Sequence, residues 1–295
     1  MIRRPVLLCA LLCALLLTSA CGSQPALRTD GKGPALWRIE KGETRGYLFG
    51  TVHALPDDVA WETPALRDAM AGADRLVVEA RGLDDSEMLQ TTFQSLGQSP
   101  GLPPIPQRLP AADRPALDAL LDEGGLSEPA LRPYESWAAA LMLSTVIQSR
   151  IQVHGDRGVE ATLMAHFKAA GKPIDGLETV QQQFTAFDRL PEDAQRRLLA
   201  DTVHEANDAR TRYAAMMQAW LGGDLDALAR MGMDGMATDP ALAGPLLHDR
   251  NAAWAARIDG MRGRPFIAVG AAHLTGPGNV AELLARRGWR VTRAQ

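Results

Sequence analysis

Cysteine is nearly absent from this chain of 295 residues, and the three present crowd one end: Cys9, Cys13 and Cys21. No thiol follows residue 21. That excludes a disulfide framework, a Cys-rich metal site and a Cys nucleophile from the body of the chain. Aromatic residues make up only 5%, and the six Trp (Trp37, Trp61, Trp137, Trp220, Trp254, Trp289) are scattered in patterns that suit core packing. They offer no evident platform for a carbohydrate. Positive charge is not in excess: 31 Lys and Arg stand against 35 Asp and Glu. With no basic run and no aromatic-basic interleaving, the sequence has no nucleic-acid footprint. H-E-x-x-H, G-x-S-x-G and the P-loop are all missing, so the common zincin, α/β-hydrolase and NTPase readings lack their residues.

What is present is ordinary globular composition, 46% apolar and 22% charged, ample for a sizeable core. One segment stands apart. Arg3 and Arg4 precede an apolar run from Val6 to Leu17, too short to span a bilayer as a mature helix. "LTSAC" follows, ending at Cys21. Residues 1–20 are expected to be a signal peptide. The small residues before Cys21 are similar to a bacterial lipobox, in which the Cys is lipidated and becomes the first residue. Ordinary cleavage after Ala20 is the alternative. Gly22 rather than Asp after the Cys fits outer-membrane sorting. Without Arg3 and Arg4, 29 basic residues face 35 acidic ones, net −6, so acyl chains rather than charge would hold the protein to a membrane. Residues 21–35, a lipidated Cys followed by Gly- and Pro-containing polar sequence, read as a flexible tether. The expected location is the bacterial periplasm, on the outer membrane.

From residue 36 onward no composition break occurs. "LWRIEKGETRGYLFGTVH" predicts a hairpin around "KGET". Residues 63–73 suit a short helix capped by Thr63 with Pro64 at its first position. Residues 74–80 read as a buried strand carrying Glu79 near its end. The middle is helical over 110–125, 134–152 and 158–171. The 134–152 segment is apolar nearly all round and predicts a central buried helix. A short strand and turn (172–179), one or two amphipathic helices (191–224), a helix (245–263), a strand (265–270), a helix (276–288) and a closing strand (289–293) complete the chain. The fold class expected is α/β: one domain, 36–295, with a central mixed sheet flanked by helices.

One pattern occurs twice. "YLFGTVHALPDD" (47–58) and "FIAVGAAHLTGPG" (266–278) each carry a strand, then G-x-x-H: Gly50 and His53, Gly270 and His273. Glycine lets a backbone leave a strand in a conformation other residues resist, and the ends of central strands are where α/β sheets build sites. If the first and last strands share a sheet, His53 and His273 meet. Two neutral imidazoles and a carboxylate form a common open metal site, and Glu79 is the best-placed carboxylate. A metal there would lower the pKa of bound water and polarise a carbonyl. Core histidines that merely hydrogen-bond are the alternative. His166 and His204 on helices, His248 beside one, and His154 in a polar turn read as structural or solvated.

The ordered set "LFGTVHALP", "VVEA", "GVEATLMAHFKAAGKPIDGLETVQQQFTAFDRLP", "AWLGGDLDAL", "LLHDRNAAWAARIDG" and "FIAVGAAHLTGPGNVAELLARRGWRVTR" resembles the TraB/PrgY/GumN family across residues 36–293. One departure is Glu160, where that family often has Asp. The resemblance implies a fold related to erythromycin esterases and ChaN-type haem-binding lipoproteins, and a likeness to the TIKI metal-dependent peptidases. It implies His53, Glu79 and His273 as the central trio, with Arg250 binding substrate or a developing oxyanion, and Asn251 and Glu178 as further substrate-binding residues. A buried ion pair is the alternative for Arg250 and Glu178. The function expected is a cell-envelope hydrolase, a peptidase, using Mn²⁺, Co²⁺ or Zn²⁺ on a peptide or small-molecule substrate, with Glu79 as third ligand or general base. The alternatives are a non-catalytic envelope protein that sequesters a peptide signal, haem or iron, and a regulator that damps peptide-pheromone signalling by either route.

Overall fold

The computed structural model describes residues 32–82, 85–232 and 239–295. The expected signal peptide, Cys21 and the tether up to residue 31 lie outside the described residues.

Six strands form one sheet: β1 (Leu36–Lys41), β2 (Thr44–Thr51), β3 (Arg75–Arg81), β4 (Ile174–Thr179), β5 (Pro265–Gly270) and β6 (Arg290–Arg293), in the order β4-β3-β5-β2-β1-β6. The expected hairpin is β1–β2, turned at Gly42, whose φ of 57° favours glycine. β5 pairs in parallel with β2 and β3, and β3 with β4, while β1 runs antiparallel to β2 and β6. The sheet is mixed, as expected. All six residues of β5 are buried, as a parallel strand covered on both faces requires.

Two apolar layers sandwich the sheet. On one face Phe49, Trp61, Leu66, Leu76, Phe167, Trp220 and Phe266 pack together. On the other, Leu48, Val77, Trp254, Ile258, Ile267 and Leu284 do so. All six Trp are buried. The helix Pro64–Gly72 starts as the sequence predicts, with the Thr63 side chain accepting the Leu66 N–H.

The helical middle builds its own apolar cluster from Ile105, Leu117, Leu120, Leu143, Leu199 and Val203. Here the expected central buried helix is corrected. Ser136–Arg150 buries Ser136 through Ala140 and then only Leu143, because its second half packs on neighbours along one side. Residues 191–224 resolve into two helices, Glu192–Glu205 and Ala209–Leu221. The 245–263 segment opens with a wide turn of π-helix, Gly244–His248, before the α-helix Asp249–Asp259; Pro245 there has no N–H for a tighter ladder. Ser86–Gly97 and Val180–Asp188 are helices the sequence did not announce. Among the described residues no helix is long and apolar enough to cross a membrane.

Candidate active site

β2, β3, β4 and β5 all end at the same edge of the sheet. His53 follows β2, Glu79 sits near the end of β3, Glu178 near the end of β4, and His273 follows β5. The pairing of β3 with β5 stops at Val77, so a crevice opens beside the central strand, and Glu79 turns into it. Its Oε1 accepts the Gly270 N–H at 2.6 Å and lies 3.8 Å from His273 Nε2. The two G-x-x-H histidines and Glu79 are therefore brought together by parallel strands from opposite ends of the chain.

The glycines of the repeat serve a purpose different from the expected one. Neither has a positive φ, and Gly270 sits at φ −51°, ψ 138°, which any residue can adopt. What they supply is room. A Cβ on Gly270 would lie 3.1 Å from Glu79 Oε1 and 3.2 Å from His53 Nε2. One on Gly50 would lie 3.3 Å from Leu274 Cδ1 and 3.4 Å from Ala271 Cα. Each motif's glycine makes space for the other motif.

The outer nitrogen of each imidazole is held. Asn251 Nδ2 donates to the Gly278 carbonyl at 3.1 Å, which aims Asn251 Oδ1 at His273 Nδ1, 2.6 Å away. The Nδ1 proton donates there, and Nε2 keeps its lone pair. His53 Nδ1 lies 2.8 Å from Glu160 Oε1, an oxygen that also accepts the Thr51 hydroxyl. Glu160 is buried in the first turn of the helix Val159–Ala169, and the Val159 N–H donates to the Val52 carbonyl at 3.1 Å. Sequence reasoning flagged Glu160 as a departure but did not assign it to His53, which lies 107 positions earlier.

Arg250, on the helix Asp249–Asp259, is a hub. Its Nε and Nη2 donate to Glu178 at 3.3 and 2.7 Å, Nη2 also to Glu79 Oε2 at 3.1 Å, and Nη1 to the Leu246 carbonyl at 3.1 Å and to His273 Nε2 at 3.3 Å. An arginine has five N–H donors, and all five are engaged. The guanidinium also covers the Trp254 ring at 4.6 Å. Trp254 Nε1 donates to Glu178 Oε2 at 3.1 Å, and its ring lies 4.4 Å from that of His273. The buried ion pair weighed for Arg250 and Glu178 is present, and Trp254, read from sequence as a core residue, is also part of the site.

The electrostatics split the pair of histidines. Glu160's charge is the main influence raising His53 to about 9, against the opposing pull of burial. With 65% of its side chain meeting solvent, His53 is also screened by water, which tempers the shift. Burial lowers His273 to about 4, with Arg250 and His53 adding to it, so this imidazole is neutral. Burial pushes the Glu79 carboxyl up, but the positive groups and the Gly270 N–H outweigh it and hold it low. With His273 neutral, His53 and Arg250 are the cations that act at ordinary pH. Burial raises Glu178 despite Arg250.

The other histidines stand apart. His166 pairs with Glu62 and His204 with Asp113 on the surface, and the His154 backbone bridges to Leu55. Among the described residues, no three His, Cys, Asp or Glu side chains converge closely enough, as they stand, to hold an ion.

An α/β sheet protein with two histidines, a glutamate and an arginine at the carboxyl edge of its central strands is the class these observations define. The chain belongs to the TraB/PrgY/gumN family, whose model matches residues 35–293. It is 27% identical over 257 residues to the protein of Escherichia coli (strain K12) described as "Uncharacterized protein YbaP", covering 85% of this chain and 92% of that one. The Shigella flexneri protein of the same description matches equally. A Treponema pallidum (strain Nichols) protein described as "Uncharacterized protein" is 24% identical over 326 residues, covering 97% and 96%. No solved structure gives a significant match.

Proposed function

We propose that the chain is a hydrolase of the cell envelope, acting on a peptide or small-molecule substrate with a divalent ion, Mn²⁺, Co²⁺ or Zn²⁺. The observation that carries the reading is the convergence of His53, Glu79 and His273 around the space left by Gly270. The donor chemistry fits an ion. Each imidazole is anchored through Nδ1, by Asn251 or Glu160, the arrangement that orients metal-binding histidines; to ligate through Nε2, His53 would give up its second proton and His273 its contact with Arg250. His53 and His273 would hold the ion, with Glu79 as a third ligand or as the base beside it. Bound there, it supplies Lewis-acid polarisation and a water of lowered pKa.

The chain's own groups then have distinct tasks. Glu79, held ionised, would be either the ion's third ligand or the base that takes a proton from the attacking water. Arg250 balances Glu79 and Glu178, and it meets a developing oxyanion only by giving up one of its five bonds. Glu178 and Trp254 hold Arg250 in place, and Asn251 holds His273. His53, at the solvent side, faces incoming substrate first. The N-terminal segment is proposed to export the chain and, through a lipid on Cys21, to tether it at the outer membrane.

The test is metal content by mass spectrometry on the exported protein and on a His53→Ala/His273→Ala variant, followed by a peptide-library screen of Glu79→Gln. About one equivalent of ion in the parent, lost in the double variant, with turnover abolished by Glu79→Gln and ligand binding kept, is the expected result. Ligand binding without turnover, indifferent to Glu79→Gln, would replace the hydrolase with the sequestering protein.

A further inference from the structure

The position of Arg250 raises a question that the hydrolase reading leaves open. A single planar guanidinium reaches both His273 Nε2, at 3.3 Å, and Glu79 Oε2, at 3.1 Å. The first is a lone pair, because Asn251 fixes the His273 proton on Nδ1. The second belongs to a carboxylate that is 4% exposed. These are donor atoms an ion would need, and a lone pair that accepts a guanidinium N–H cannot ligate at the same time.

Resting on the metal-site reading, we infer that Arg250 is an internal cation that caps the ion's donor atoms, so that an ion binds only by displacing the guanidinium from His273 and Glu79. The remaining contacts make this a pivot and not an expulsion. Two bonds to Glu178, one to Leu246 and the Trp254 ring survive the loss of the other two. A buried carboxylate stripped of its partner is strongly destabilising, and Arg250 gives Glu79 a partner whenever the ion is away. Ion affinity is then set by Arg250 as much as by the ligands themselves.

Removing Arg250 alone would change both occupancy and charge, so the decisive variant is Arg250→Gln/Glu178→Gln, which deletes one cation and one anion and leaves the formal charge of the cluster unchanged. Mn²⁺ and Zn²⁺ binding to chelator-treated protein is read by calorimetry. The expected result is binding tightened about 10-fold or more, the size of effect that groups around metal ligands produce, with Arg250→Lys in between. Equal affinity in parent and double variant overturns the capping while leaving the metal site standing. Absence of ion binding in the parent and in both variants removes the metal reading and the capping together. A second measurement needs no variant. In ¹⁵N NMR spectra of the parent, Arg250 Nη signals held by four bonds are expected to be resolved and to collapse as Zn²⁺ shifts His273 Nε2. Zn²⁺ binding to His273 with the Arg250 signals unmoved would overturn the inference.

Discussion

The two G-x-x-H segments are alike in sequence and opposite in circumstance. Both follow parallel neighbouring strands, yet their register is offset by one: Gly50 lies beside Val269, and Thr51 beside Gly270. Because side chains alternate along a strand, a one-residue offset turns equivalent positions to opposite faces. Gly50 accordingly makes room for the turn of the second motif, and Gly270 for Glu79 and the first histidine. His53 ends up 65% exposed beside a carboxylate, and His273 6% exposed beside an amide. One imidazole favours its proton and the other refuses it. A repeated motif supplies two supports of the same shape, while the Glu160 charge for His53 and burial for His273 decide what each histidine becomes.

That contrast can be broken most severely at the histidines themselves. On the proposed hydrolase reading, alanine at either position is expected to remove at least about 100-fold of the turnover, since both would sit where a small misplacement already costs that much. Stability should separate them. His273→Ala empties a buried site against Trp254 and leaves Asn251 unpaired, costing about 2–4 kcal/mol in urea unfolding. His53→Ala takes the charged partner from the buried Glu160 but removes a solvent-screened charge, so it should cost less, about 1 kcal/mol at neutral pH.

The glycines come next. Gly270→Ala pushes on Glu79 and His53 and should lower kcat by about 10- to 100-fold with the fold intact. Gly50→Ala presses on Leu274 and Ala271 and should lower stability by about 1 kcal/mol with less effect on kcat. Equal kinetic losses for the two would show that the glycines are needed for something other than the room each gives the opposite motif.

The smallest effect is also the sharpest in sign. His53 binds its proton more tightly folded than unfolded, so its contribution is complete below pH 6.5 and fades as pH rises through about 9. His273 resists protonation in the fold, so stability falls as pH drops from 6.5 through about 4. Unfolding measured across this range in ion-free protein should peak near pH 6.5. His53→Ala should flatten the alkaline limb alone, and His273→Ala should reduce the acid limb.

Much of this was legible in the sequence, and the limit has a physical origin. Strands β2, β3 and β5 announced themselves as apolar runs, and the two G-x-x-H motifs marked their ends, because periodicity and turn chemistry are local. Glu79 could be singled out for the same reason. The partnership of Glu160 with His53 could not, since it depends on the N-terminus of one helix docking on a loop far away in the chain. The saturation of Arg250 was hidden too: an arginine expected to meet substrate is, in the fold, fully bonded to the protein. The glycines were recognised as necessary, but for backbone freedom, when the cause is the close approach of two loops. Helix Ser86–Gly97, with only Gly97 buried, has too weak an apolar face to be read.

The strand order has one more consequence. β1 begins and β6 ends at the edge that carries the crevice: the Ala35 carbonyl accepts the Gly50 N–H at 3.3 Å, and the Ala294 N–H donates to the Leu36 carbonyl at 2.8 Å. An affinity handle or fluorescent protein fused near either point would hang over the rim of the cleft and compete with whatever approaches it. The Gly42 turn lies at the opposite edge, and a Cβ there would meet nothing within 4 Å. That hairpin tip is the place to attach the protein to a bead or a sensor chip with its working side turned outward.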